Sequence, residues 1–141
     1  MAIARGFAAT AVFAGLAVCT ADAAWADTPS MNGTYTETST SPSGLSVTND
    51  WTVSPCGNGC AYVKAGAGGG MAYFRDGQWV LDTMNNLTCA DGTFNQYATN
   101  AHMTWDPDSL DGTSQITYIV GACGKPPGYT QTNHISLKAS S

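Results

Sequence analysis

Proton-transfer chemistry in this chain would fall to two histidines and a few aspartates. His102 and His134 are its imidazoles, and Asp50, Asp82 and Asp106 are carboxylates that could converge on them in a cleft. General acid–base catalysis needs such groups within hydrogen-bond reach of one another. A hydrolase acting on cell-envelope material would be built that way. The local patterns favour scattered surface histidines instead. Alternation along their segments puts both on wet faces. No G-x-S-x-G elbow singles out a serine nucleophile, and no cysteine is left over for that role. The sequence therefore assigns no catalytic residue.

Metal and phosphate chemistry fare no better. Asp106-Pro107-Asp108-Ser109-Leu110-Asp111-Gly112 is the densest acidic stretch. Its spacing does not match the alternating ligands and distant glutamate of an EF-hand loop. Asp and Pro at these positions read as a polar hairpin turn after Trp105. Gly66-Ala67-Gly68-Gly69-Gly70 lacks the Gly-Lys-Ser/Thr that a phosphate loop requires, and it reads as a flexible loop. No metal or cofactor is expected.

The cysteines carry the strongest chemical signal. Cys56, Cys60, Cys89 and Cys123 form an even set beyond the N-terminal segment, and Cys19 lies within it. Four thiols in a small exported domain imply two disulfides, in one of three connectivities. Cys56-Gly57-Asn58-Gly59-Cys60 has two glycines that let the backbone turn tightly, which favours Cys56–Cys60 and leaves Cys89–Cys123. Zinc is the rival. The second pair lacks the close spacing of a zinc site, and export favours oxidised sulfur. The C-x-x-C of a redox-active pair is also missing.

Export itself is read from the first residues. Arg5 precedes an apolar run from Phe7 to Val18, which is too short to cross a bilayer as a helix. Small-residue cleavage choices follow. The sequence predicts a signal peptide over 1–26, cut after Ala26, with Ala23 as the alternative. A retained anchor helix would need a longer run. Leu16-Ala17-Val18-Cys19 resembles a bacterial lipobox, with Val18 where a small residue normally stands. A lipoprotein tethered at Cys19 is thus the minority alternative. Asp27 to Ser141 is long enough for one domain. The formal net charge is −5. Outside the leader the cations are Lys64, Arg75, Lys125 and Lys138, and nothing clusters them. Such a chain repels phosphate backbones, which argues against nucleic acid. No membrane span is expected.

These residues are positioned by strands. Val47, Asn49, Trp51 and Val53 alternate with Thr48, Asp50, Thr52 and Ser54. Tyr97, Ala101, Met103 and Trp105 share one face, opposite Gln96, Asn100, His102 and Thr104. Ile135 and Leu137 alternate with His134, Ser136 and Lys138. Side chains reverse at each strand residue, so each set defines a buried and a wet face. Weaker strands are expected at 34–40, 60–65, 71–75, 78–83 and 114–121. Asp76-Gly77 marks a type I′ hairpin, and Asn32-Gly33, Asp91-Gly92 and Asp111-Gly112 are similar punctuation. Lys125-Pro126-Pro127-Gly128 is a stiff connection. The prediction is an all-β domain of about eight antiparallel strands, closed into a small up-and-down barrel or a barrel-like sandwich to protect its edges. Eight strands leave an interior that is either packed or able to hold one small ligand.

Met31-Asn32-Gly33-Thr34-Tyr35, the run Trp51 to Cys60, Gln78-Trp79, Cys89-Ala90-Asp91-Gly92-Thr93 and Ala122-Cys123-Gly124, taken with the leader, resemble the small exported proteins of actinobacteria, especially mycobacteria. That resemblance implies an extracellular or envelope location and the disulfide framework. It transfers no catalytic residue. Gly33-Thr34-Tyr35 is also similar to the G-x-W start of calycin-type barrels, with Tyr in place of Trp. Trp51, Trp79, Trp105 and Tyr97 are the candidates for a ligand or partner surface, although for the three tryptophans the core is the favoured place. The leading expectation is a non-catalytic exported binding or interaction protein, whose partner is a small apolar ligand or an envelope component. A hydrolase, a structural envelope protein or a lipoprotein are the alternatives.

Overall fold

Alternating sequence becomes a ribbon of eight strands of six to twelve residues, each joined to the next by a turn or loop. The computed structural model describes residues 28–66 and 68–140. The predicted leader, its cleavage site and Cys19 lie outside the described residues. β1 is Gly33–Thr40, β2 Ser46–Gly57, β3 Cys60–Ala65 and β4 Gly68–Arg75. β5 is Gln78–Thr88, β6 Phe94–Trp105, β7 Asp111–Tyr118 and β8 Thr130–Ala139. Each pairs antiparallel with its sequence neighbours, and β8 returns to β1 from Tyr35↔Ala139 to Thr40↔His134. The sheet is a closed barrel of all-β, up-and-down type. Closure leaves no free edge strand, which is how a small all-β protein avoids edge-to-edge association. Among the described residues no helix is long and apolar enough to cross a membrane.

A meander delivers alternate connections to opposite ends. One end has the short ones: 58–59, the Asp76-Gly77 turn and 106–110. Asp76 and Gly77 have φ of 51° and 82°, the two positive values that a type I′ turn demands. The other end carries 41–45, the β3–β4 connection at Gly66, 89–93 and the long 119–129.

The short-turn end is solid. Trp51, Trp79 and Trp105 meet there, Trp51 edge-on to Trp105 at 5.5 Å and Trp79 stacked on Trp105 at 6.5 Å between centroids. Val53, Val63, Leu81, Ile135 and Leu137 pack with them. Met31, just before β1, is buried in this cluster and its sulfur accepts the Trp105 indole N–H at 3.3 Å.

Two glycine segments differ from expectation. The run read as a loop at 66–70 enters β4 at Gly68, and the turn signal Asp111-Gly112 opens β7. The reason is close approach rather than flexibility. A side chain on Gly69 would strike the Val63 carbonyl, and one on Gly112 would strike the backbone of Thr104 and Trp105. Small residues at these points let neighbouring strands come together.

Candidate functional site

Residues one position apart on a strand face opposite ways, so the barrel interior can be followed from register. Glu37 of β1 lies opposite Asn49 of β2 and Leu137 of β8. Ser39 follows it toward the long-loop end, opposite Val47 and Ile135. Thr83 pairs with Ala101, and Ala101 with Ile116. Beyond the tryptophan layer these inward side chains are too small, or too far apart, to meet across the barrel. A cavity of about 540 Å³ remains. It occupies the long-loop half, and Gly66, Gly68 and Gly69 and the β5 end at Met84, Asn85 and Leu87 reach its lining. The interior is therefore packed at one end and hollow at the other.

The cavity has two unlike walls. β1, β2 and β8 contribute Glu37, Ser39, Asn49, Gln131 and Asn133. These are linked by hydrogen bonds: Asn49 Nδ2 donates to Glu37 Oε2 at 2.8 Å, Asn133 Nδ2 to Ser39 Oγ at 3.1 Å and Gln131 Nε2 to Asn133 Oδ1 at 2.8 Å. The facing wall of β5, β6 and β7 contributes Leu81, Ala101, Met103 and Ile116 among polar residues that include Thr83, Asn85 and Tyr118. Glu37 is only 5% exposed. Burial holds its carboxyl above the ordinary range, against the opposing pull of hydrogen bonds from Asn49 and Trp51. Desolvation penalises the charged form.

The sequence-derived surface residues separate. Trp51 lines the cavity. Trp79 and Trp105 are fully buried in the solid end and reach neither cavity nor surface. Tyr97 was expected to share the inward face of Ala101 and Met103, but it is 56% exposed. The cause is a left-handed backbone at Tyr97, φ 51°, opposite a bulge between Asn85 and Leu87. The Asn86 side chain accepts the Tyr97 N–H at 2.9 Å. One irregular residue breaks the alternation, so parity counted from Trp105 fails beyond it.

Both disulfides form as favoured. Cys56–Cys60 ties β2 to β3 across the short turn. Cys89–Cys123 ties the 89–93 loop to the 119–129 loop at the hollow end. The acid–base candidates do not converge. Asp50 is on the outer face of β2 and Asp106 is in the 106–110 turn. The Asp106 carboxylate accepts the N–H groups of Ser109 and Asp108 at 2.9 and 2.8 Å, and these bonds lower its pKa. His134 is separated from His102 by β7. His102 alone meets a carboxylate, Asp82 Oδ1 at 2.6 Å, on the outer surface with both side chains more than half exposed.

Glu37 is the site residue that sequence reasoning overlooked. It is the single glutamate of the chain. Alternation from Tyr35 would have placed it inside, but β1 is so rich in threonine that neither face looks apolar. No family model matches this sequence, and neither a curated protein nor a solved structure matches it.

Proposed function

We propose that this chain is an exported, non-catalytic binding protein that takes a small, partly apolar molecule into the hollow half of its barrel. The cavity carries this reading: it is enclosed by strands on all sides and lined by a mixture of apolar and hydrogen-bonding groups, as ligand sites commonly are. Export is supported by the leader-like N-terminus and by two disulfides, which persist in oxidising compartments. Apolar side chains exposed on the long-loop elements, among them Leu45, Val47, Met84, Phe94 and Ile119, support access from that end. The resemblance to actinobacterial exported proteins agrees with the location and adds nothing about the ligand.

Titration of the oxidised protein with the neutral apolar dye N-phenyl-1-naphthylamine tests the reading. One saturable site is expected. Ala101→Phe places a ring in the cavity and should weaken binding at least about tenfold, the loss of roughly 1.4 kcal/mol. Ser39→Phe, nearer the open end, should act alike. A cooperative melt for each variant checks that the barrel persists. Absence of saturable binding, or undiminished binding by both folded variants, would remove the proposal. Native mass spectrometry of protein harvested from its own host would then show whether a small molecule travels with it.

A further inference from the structure

A buried carboxylate with no cation beside it is costly, and proteins ordinarily pair such a charge or replace it. Among the described residues lining the cavity, Glu37 is the only Asp, Glu, Lys, Arg or His. Tyr118 is the other titratable group there. Asn49 donates a hydrogen bond to the carboxylate and the Trp51 indole helps hold its pKa down, but both are neutral. They orient the anion without balancing its charge. A glutamine at this position would accept the same bonds at no electrostatic cost.

We propose that the cavity binds an organic cation, a protonated amine whose N–H groups meet Glu37 while its apolar body lies on the β5–β7 wall. This rests on the reading of the cavity as a ligand site and specifies the ligand's chemistry. The division of the walls fits it. The head group would reach Glu37 beside the hydrogen-bonding residues Ser39 and Asn49, and the body would face Leu81, Met103 and Ile116. A charge-assisted hydrogen bond contributes about twice what a neutral one does. The excluded alternative is equally definite: an anionic ligand would meet Glu37 with no cation in the lining to offset the repulsion.

Three probes of one shape separate these cases: 2-(1-naphthyl)ethylamine, 2-(1-naphthyl)ethanol and 1-naphthylacetate, each titrated calorimetrically at pH 7.5. The amine is expected to bind at least about tenfold tighter than the alcohol, the step a charged hydrogen bond supplies, with the acetate weakest. Glu37→Gln should bring amine and alcohol within about twofold and leave the alcohol unchanged. Equal binding of amine and alcohol, or a preference for the acetate, overturns the cation proposal on the unmodified protein alone. So does a Glu37→Gln variant that keeps the amine preference. If the neutral dye saturates while the amine gains nothing, only this inference falls. If neither the dye nor any of the three binds, the ligand-site reading falls with it.

Discussion

Glu37 lies where its charge is disfavoured, and the sign of that effect can be measured. Burial lifts its carboxyl above the ordinary value of 4.5, with Asn49 and Trp51 opposing. It therefore holds its proton more tightly in the folded chain than in the unfolded one. Its contribution to stability is complete below the unfolded value and is lost as pH rises through the folded one. Glu37→Gln removes that titration. The variant should be more stable than the parent at pH 7 to 8, and the difference should close as pH falls below the carboxylate range. Chemical denaturation across pH reads it out, and a difference that stays constant with pH would contradict the burial penalty. The tryptophans differ in a similar way. The Trp105 N–H reaches the Met31 sulfur, whereas the Trp79 N–H is buried without an acceptor among the described residues. An unmet buried donor costs about 1–3 kcal/mol. Trp79→Phe deletes that orphan along with ring volume, so it should destabilise by about 1 kcal/mol less than Trp105→Phe in a denaturant titration.

At the scale of elements, the strands obey a simple alternation wherever both neighbours stay in register. Trp51 and Val53 of β2, β6 from Ala101 to Trp105 and the end of β8 lie as their sequence spacing implies, whereas Val47, expected on the buried face, is 55% exposed at the open end. The other exceptions come from irregular backbone: the Asn85/Leu87 bulge with Tyr97 opposite, and Leu110 at φ 60° in the β6–β7 turn. Leu110 packs against the core, and its carbonyl accepts the N–H of Leu137 at 2.9 Å. The cross-links act on connections rather than strands. In the chain-entropy account, closing the 34-residue separation of Cys89–Cys123 is worth about 4 kcal/mol. The four-residue separation of Cys56–Cys60 is worth about 2 kcal/mol. Replacing Cys89 and Cys123 by serine should thus lower the unfolding free energy about twice as much as replacing Cys56 and Cys60. Because the longer link joins two loops at the hollow end, its loss should also weaken dye binding while loss of the shorter one leaves it intact.

For the molecule as a whole, closure of β8 on β1 converts eight marginal strands into one cooperative unit. It also sets the interior radius, which the side chains then fill unevenly. Three indoles, with Met31 and Leu110, fill the short-turn end. At the other end the side chains, many of them serine, threonine, asparagine or alanine, do not meet across the barrel. A solid half supplies the stability of a domain with few large apolar residues, and so leaves the hollow half free for a ligand.

The antiparallel strands, the type I′ turn at Asp76-Gly77, the short Cys56–Cys60 link and the buried pair Trp51 and Val53 were legible from residue types alone. Each depends on local backbone geometry or on a period of two, which neighbouring residues encode directly. The division of the interior was not, because it depends on which side chains face each other across a barrel rather than along a strand. The same is true of Glu37. Its character as an unbalanced charge arises only when the seven other strands close around it and bring no lysine, arginine or histidine among the described residues to the lining. Tyr97 and the glycines at 69 and 112 are likewise tertiary decisions, since a bulge and a close strand contact depend on the partner strand. Local chemistry fixed the ribbon and its links; long-range closure decided what space the ribbon encloses.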